Sequence, residues 1–184
     1  VRYETKDNLP VNRVDLFSHE SGIPLFDQKL PIYVVTDEEK EWAKSYLNKY
    51  IAKNKIGNKF IGIQAHSNTE RRNWPIENVR LLIAKLANMQ GITVVVFDDS
   101  KTVAWNMPNV IPVVNFNIRQ ASALIDAMDL MICHDSGLLH IAGALENRIV
   151  ALFGSTHPQA RVNYYKNAIV VENRDLDCLH CWYK

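Results

Sequence analysis

The chain has 184 residues, 47% hydrophobic and 22% charged, and its 21 Lys and Arg against 20 Asp and Glu leave a net charge of +1. That balance supports a buried core and excludes a basic footprint for nucleic acid or a polybasic membrane patch. The longest apolar run, residues 92–97, is far too short to span a bilayer, and three cysteines (Cys133, Cys178 and Cys181) are too few for a disulfide framework, so a reducing, cytoplasmic setting is expected.

Residues 1–31 are broken by Pro10, Pro24 and Pro31, with Gly22 between, and hold one short predicted helix at 11–18. The chain starts at Val1 rather than Met, so the expectation is a fragment. Residues 1–31 are read as the remnant of a preceding lobe, and 32–184 as a single α/β domain. Thr36 and Glu39 form a capping box, and Trp42, Ala43, Tyr46, Leu47 and Tyr50 follow at helical spacing, in a helix expected to end before Gly57.

The chain then alternates. A strand is predicted at 59–65. A helix begins at Pro75, carries Val79, Leu82, Ile83, Leu86 and Met89, and is stopped by Gly91 as a C-cap. Strands follow at 92–97 and 110–114, a helix at 119–128, a strand ending at Cys133, a helix at 136–145, and strands at 148–153 and 168–171. Strands alternating with helices imply βα units and a mainly parallel sheet, and the continuous apolar strands fit a sheet covered on both faces. Ligands of such sheets bind outside the carboxyl ends of the strands, which selects the loops to read.

Four loops qualify. Residues 65–75 offer hydroxyls, an amide and the Arg71–Arg72 pair, whose guanidinium forks suit a diphosphate. Asp98 and Asp99 end the second strand, where nucleotide-binding sheets hold ribose hydroxyls, although no glycine fingerprint precedes them. Asp135, Ser136 and Gly137 turn from a strand into a helix whose free amides and dipole attract anions. Gly137 lets a phosphate approach, and His140 lies one turn on, within reach of a phosphate oxygen. Residues 153–158 place Gly154, Ser155 and Thr156 after the next strand.

Taken singly, each loop is better explained by a capped helix start or a solvated connection. A Ser-His-Asp triad is disfavoured, because adjacency to Ser136 keeps Asp135 from lying behind a histidine that faces that serine. Cys178 and Cys181 supply only half of a zinc site, so no metal is assigned.

Together the loops resemble glycosyltransferase family 9, the ADP-heptose:lipopolysaccharide heptosyltransferases. The resemblance covers roughly residues 56–181. It is carried by the strand 60–63 leading to Arg72-Asn73-Trp74-Pro75, by 124–132, by the signature Asp135-Ser136-Gly137-Leu138-Leu139-His140-Ile141-Ala142, and by 150–158 with its Gly-x-Thr-x-Pro-like ending. A Cys-x-x-Cys near the C-terminal end also recurs in that family.

The resemblance implies the C-terminal, donor-binding half of a two-lobed GT-B glycosyltransferase. It places Ser67, Asn68, Arg72, Asp135, Ser136, Gly137 and His140 at the donor and its phosphates, and Asp98, Asp99 and Phe116 at the nucleoside. Arg72 stands where the family typically has a lysine. No cofactor or metal is implied beyond the nucleoside-diphosphate sugar that serves as substrate. The implied reaction is inverting transfer to a saccharide or lipid-linked saccharide acceptor held by the other lobe. The general base is expected in that lobe, so the isolated chain is expected to be inactive. The parent is expected in the cytoplasm, at most peripherally membrane-associated. The alternatives are a non-catalytic nucleotide-sugar-binding domain and a GT-B-type sugar-nucleotide epimerase.

Overall fold

A computed structural model describes residues 10–25, 29–54, 59–98 and 105–183. Asp99 and Gly57, both named above, lie outside the described residues.

The sheet is built where the sequence is richest in β-branched residues. Strands β1 (Lys59–Gln64), β2 (Ile92–Phe97), β3 (Val110–Val113), β4 (Leu130–His134), β5 (Ile149–Phe153) and β6 (Ala168–Glu172) pair in the order β3-β2-β1-β4-β5-β6. All five pairings are parallel. Helix α3 (Ile76–Ala87) covers one face, burying Val79 and Ile83 with Ile61, Ile63, Val94 and Val96. Helices α2 (Asp37–Asn54), α4 (Ile118–Asp126) and α5 (Gly137–Ala144) belong to the other face, where Ala43, Leu47, Leu124, Leu139 and Ala142 join Val95, Met131 and Ala151 in one core. Apolar area removed from water on both faces holds these layers together. The cover stops at β6, where Ile169 and Val171 remain exposed, so the outermost strand departs from the expected double cover.

The helix boundaries follow capping chemistry. The Thr36 box forms as expected: Glu39 N–H donates to Thr36 Oγ1 at 3.3 Å, and Thr36 N–H donates to Glu39 Oε2 at 2.9 Å. Arg119 Nε, at 2.7 Å from Glu39 Oε1, ties α2 to α4. Helix α4 opens on a second box, Asn117 with Gln120, in addition to the one expected at Thr36, and ends two residues short of the expected position. Helix α3 ends at Ala87 with Asn88 as its C-cap, so Gly91 is not the cap. It turns the chain into β2 with φ +79°, a conformation that costs glycine little. Helix α1 (Arg13–Ser21) starts at its Asn12 cap, two residues later than the spacing suggests, and ends on Gly22 with φ +69°. Helix α6 (Gln159–Val162) is a single turn with Pro158 at its N-cap and no side-chain cap from Ser155 or Thr156.

The N-terminal segment rests on the domain. Asn12 donates to Gln159 O at 3.3 Å, Tyr164 hydrogen-bonds Asp15, and Lys29 Nζ reaches Asp15 at 3.1 Å.

Candidate functional site

In a sheet of this order the connections leave β1 and β4 in opposite directions, so a crevice opens between their carboxyl ends. The structure has a cleft of about 570 Å³ there, lined from both sides. Gln64 ends β1, His66, Ser67, Asn68 and Arg72 come from the segment after it, and Asp135 to Leu138 from the segment after β4. Phe97, Val113, Phe116, Ile118 and Ala121 give the cleft an apolar end.

Gln64 joins the two walls. It is the last residue of β1 and buried, and its Nε2 donates to His66 O at 2.8 Å while its Oε1 accepts the Ser136 hydroxyl at 2.6 Å. The Ser136 side chain therefore turns to β1 and makes no cap on α5. A Cβ built on Gly137 meets nothing within 4 Å, because that position faces open space at the cleft. The first turn of α5, with its positive dipole end, points into the cleft wall. On the opposite side Asn73 Oδ1 accepts the Ser67 backbone N–H at 2.6 Å, and the loop tightens into a 3-10 turn at Glu70–Arg72 that carries Arg72.

Charge converges on Asp135, whose side chain is 4% exposed. Arg161 Nε donates to its Oδ2 at 3.1 Å, Arg72 Nε stands 3.7 Å from the same oxygen, and Arg72 NH1 donates to the Asp135 carbonyl at 3.2 Å. Two guanidiniums against one carboxylate leave an excess of positive charge beside the cleft, suited to an anion with several oxygens. The Trp182 ring lies against Arg72, 4.6 Å from ring centroid to guanidinium carbon. A cation over a ring face is held there by attraction to the ring, which leaves guanidinium N–H groups for hydrogen bonds.

His140 stands apart from the other residues of the signature. It is not among the residues lining the cleft; its Nδ1 is 2.7 Å from the Tyr165 hydroxyl and its Nε2 is 3.8 Å from Asp135 Oδ1. Burial lowers its pKa, opposed by Asp135 and assisted by the nearby arginines. Asp135 approaches the histidine, but that histidine does not face Ser136, so the argument from adjacency stands. Ser136 is turned to Gln64 instead, so no triad forms.

Asp98 lines the cleft, but both carboxylate oxygens are engaged inside the wall. Oδ1 is 3.1 Å from His66 Nδ1, and Oδ2 accepts the Trp105 indole N–H at 2.8 Å. His66 and Asp98 thus line the cleft as a bonded pair. Phe116 lies edge-on to both Trp42 and Tyr46, with centroids 5.7 and 5.3 Å away.

The Gly154 loop does not line the cleft. Its carbonyls at Gly154 and Ser155 accept the His180 and Trp182 N–H groups, each at 2.8 Å, and so fasten the C-terminal turn behind Arg72. Sequence reasoning missed Gln64, His66, Arg161, Tyr165 and Trp182. Of these, His66 lay within the selected loop 65–75 without being singled out, and Gln64, a polar residue closing an apolar strand, carried a readable signal. Among the described residues no group of three or more His, Cys, Asp or Glu is placed to hold a metal ion, and no helix is long and apolar enough to cross a membrane.

Comparison with known proteins places this geometry in context. The pattern of glycosyltransferase family 9 (heptosyltransferase) matches residues 5–184. No curated protein matches the chain. Among solved structures, a family 9 glycosyl transferase from Veillonella parvula superposes with a TM-score of 0.72 at 18% identity, over 95% of this chain and 51% of that one. The ADP-heptose lps heptosyltransferase II of E. coli gives 0.60 at 23% identity, over 80% and 47%. The E. coli heptosyltransferase WaaC with ADP-2-deoxy-2-fluoro heptose gives 0.56 at 20% identity, over 85% and 47%. The chain thus spans about half the length of these structures, and at such identities the likeness speaks for the fold.

Proposed function

The chain belongs to glycosyltransferase family 9, with the fold of the C-terminal half of a GT-B glycosyltransferase, and from that premise we propose that it binds the donor of a sugar-transfer reaction, a nucleoside-diphosphate sugar of the ADP-heptose kind. The observation that carries this reading is the convergence of Arg72 and the amino end of α5 on one cleft at the sheet's switch point. A diphosphate fits between them, with the guanidinium edge on one side and helix amides on the other. The apolar end formed by Phe97, Val113, Phe116 and Ile118 suits a nucleobase ring, and the ribose lies between, near His66.

In transfer, negative charge develops on the departing diphosphate, and groups already aimed at it stabilise the transition state without reorganising. Arg72 and α5 supply that part. Deprotonating the acceptor hydroxyl, on a saccharide or lipid-linked saccharide, falls to a base in the companion lobe. The chain by itself binds donor and does not turn over.

Calorimetry on the 184-residue chain with ADP tests the reading. Saturable binding is expected, weakened roughly ten-fold by Arg72→Ala through loss of a charge-assisted contact. His140→Ala is expected to weaken it less, since His140 stands outside the cleft lining, beside Asp135 and Tyr165. A folded chain that takes up no ADP at millimolar concentration would falsify the proposal.

A further inference from the structure

Cys178 and Cys181 have no part in the donor site described above, yet their turn is built with care. Cys181 N–H donates to Cys178 O at 3.1 Å, closing a four-residue turn. The end Cα atoms of such a turn lie within about 7 Å, overlapping the range a disulfide spans. His180, the third residue of the turn, sits at φ +58°, which a side chain other than glycine adopts at a cost. Several contacts hold it there. Its N–H donates to Gly154 O, its Nε2 is 2.6 Å from Glu172 Oε1, and its ring lies 4.2 Å from that of His157. The residue that follows the turn is Trp182, whose N–H is fixed to Ser155 O and whose ring backs Arg72.

Accessibility separates the three thiols. Cys178 is exposed and Cys181 half-buried, whereas Cys133 is fully buried in β4, where burial pushes its thiol up to about 12. Thiolates, not thiols, attack disulfides, so Cys133 is no competitor.

We propose that Cys178 and Cys181 are a reversible thiol–disulfide pair which, when closed, locks the turn that holds Trp182 against Arg72. The oxidant is a small-molecule disulfide of the glutathione type. The exposed Cys178 thiolate attacks one sulfur and releases one small thiol, leaving a mixed disulfide. The Cys181 thiolate then attacks Cys178 Sγ and releases the second. Two protein thiols become one disulfide, and one small disulfide becomes two thiols. The turn is closed before oxidation, so the bond forms without moving Trp182, and its effect is to hinder opening. The consequence for donor binding rests on the reading of Arg72 given above; the disulfide and the lock do not.

The test equilibrates the 184-residue chain and its Cys178→Ser variant in glutathione buffers from reducing to oxidising. Free thiols are then alkylated, and the peptide carrying both cysteines is weighed. Backbone hydrogen exchange and ADP affinity are measured on the same samples. The oxidised chain is expected to lose two hydrogens and both alkylation sites at 178 and 181. Its exchange at the His180 and Trp182 amides should slow by roughly ten-fold as local opening is suppressed. ADP affinity should rise roughly two- to five-fold through preorganisation of Arg72. Cys178→Ser should show none of these responses. Persistent free thiols or a lasting mixed disulfide in oxidising buffer overturns the proposal, as does a disulfide with unchanged or faster exchange. Slowed exchange with unchanged ADP affinity overturns the link to Arg72. Slowed exchange with no ADP binding in either state leaves the lock standing and counts against the donor-site reading instead.

Discussion

His134 closes β4 with its ring 1% exposed, and its Nε2 accepts the Trp74 N–H at 3.0 Å, pinning the start of α3 to the strand beside Asp135. Only a neutral imidazole can accept there. Burial first, and the neighbouring His66 second, bring its pKa down to about 4 from 6.5. The sign follows directly. Between those values the unfolded chain takes up a proton that the folded chain refuses, so stability is whole above pH 6.5 and falls as the pH drops toward 4. The loss amounts to about 3 kcal/mol, one pKa unit being about 1.4 kcal/mol. Burial lowers His140 and His157 as well, so the acid limb has several contributors. Denaturant unfolding of His134→Gln across pH 4 to 7.5 should keep a limb shallower by about one proton. Parallel limbs in variant and parent would show that His134 titrates normally when folded.

At the scale of elements, α5 depends on a residue that its own spacing does not explain. Gly143 faces the ring of Tyr165, and a Cβ there would come within 2.5–2.7 Å of three ring carbons. A rigid ring cannot yield as a flexible chain end would, so Gly143→Ala must lift Tyr165 and break its contact with His140. A destabilisation of about 1–3 kcal/mol is expected from overpacking, read as a lower denaturant midpoint with unchanged slope. An alanine variant as stable as the parent would show that Tyr165 moves freely. Such contacts are invisible in sequence because the partners lie 22 positions apart on unrelated elements. The elements themselves were largely legible. The continuous run Thr93-Val94-Val95-Val96-Phe97 announces a fully buried strand, and the spacing of Val79 and Ile83 announces one face of α3. Two things resisted. One-turn α6 is too short to show a period, and Gly91 could be a cap or a later turn, since either uses its positive φ.

For the whole molecule, the strand order decides which distant loops become neighbours. Gln64 and Ser136 stand 72 positions apart and meet at 2.6 Å because β4 pairs with β1 across the switch point. The rule that ligands gather at strand carboxyl ends selected the loops, the family resemblance picked Ser67, Asn68, Arg72 and Asp135 to Gly137 out of them, and these do share one cleft. What could not be read was the support behind it, since Arg161, Tyr165 and Trp182 come from short or irregular segments without a repeating pattern. One measurement reports on cleft and fold together. A ligand that binds only the folded chain stabilises it by about 2.7 kcal/mol at a hundred times its Kd. For a domain of this size that corresponds to a rise in Tm of about 5–10 °C. A thermal scan with ADP at that ratio should show the rise. Arg72→Ala at the same ADP concentration, with affinity ten-fold weaker, should retain about 1.4 kcal/mol, roughly half the shift. Equal shifts in parent and variant would mean that the diphosphate is held elsewhere than between Arg72 and α5.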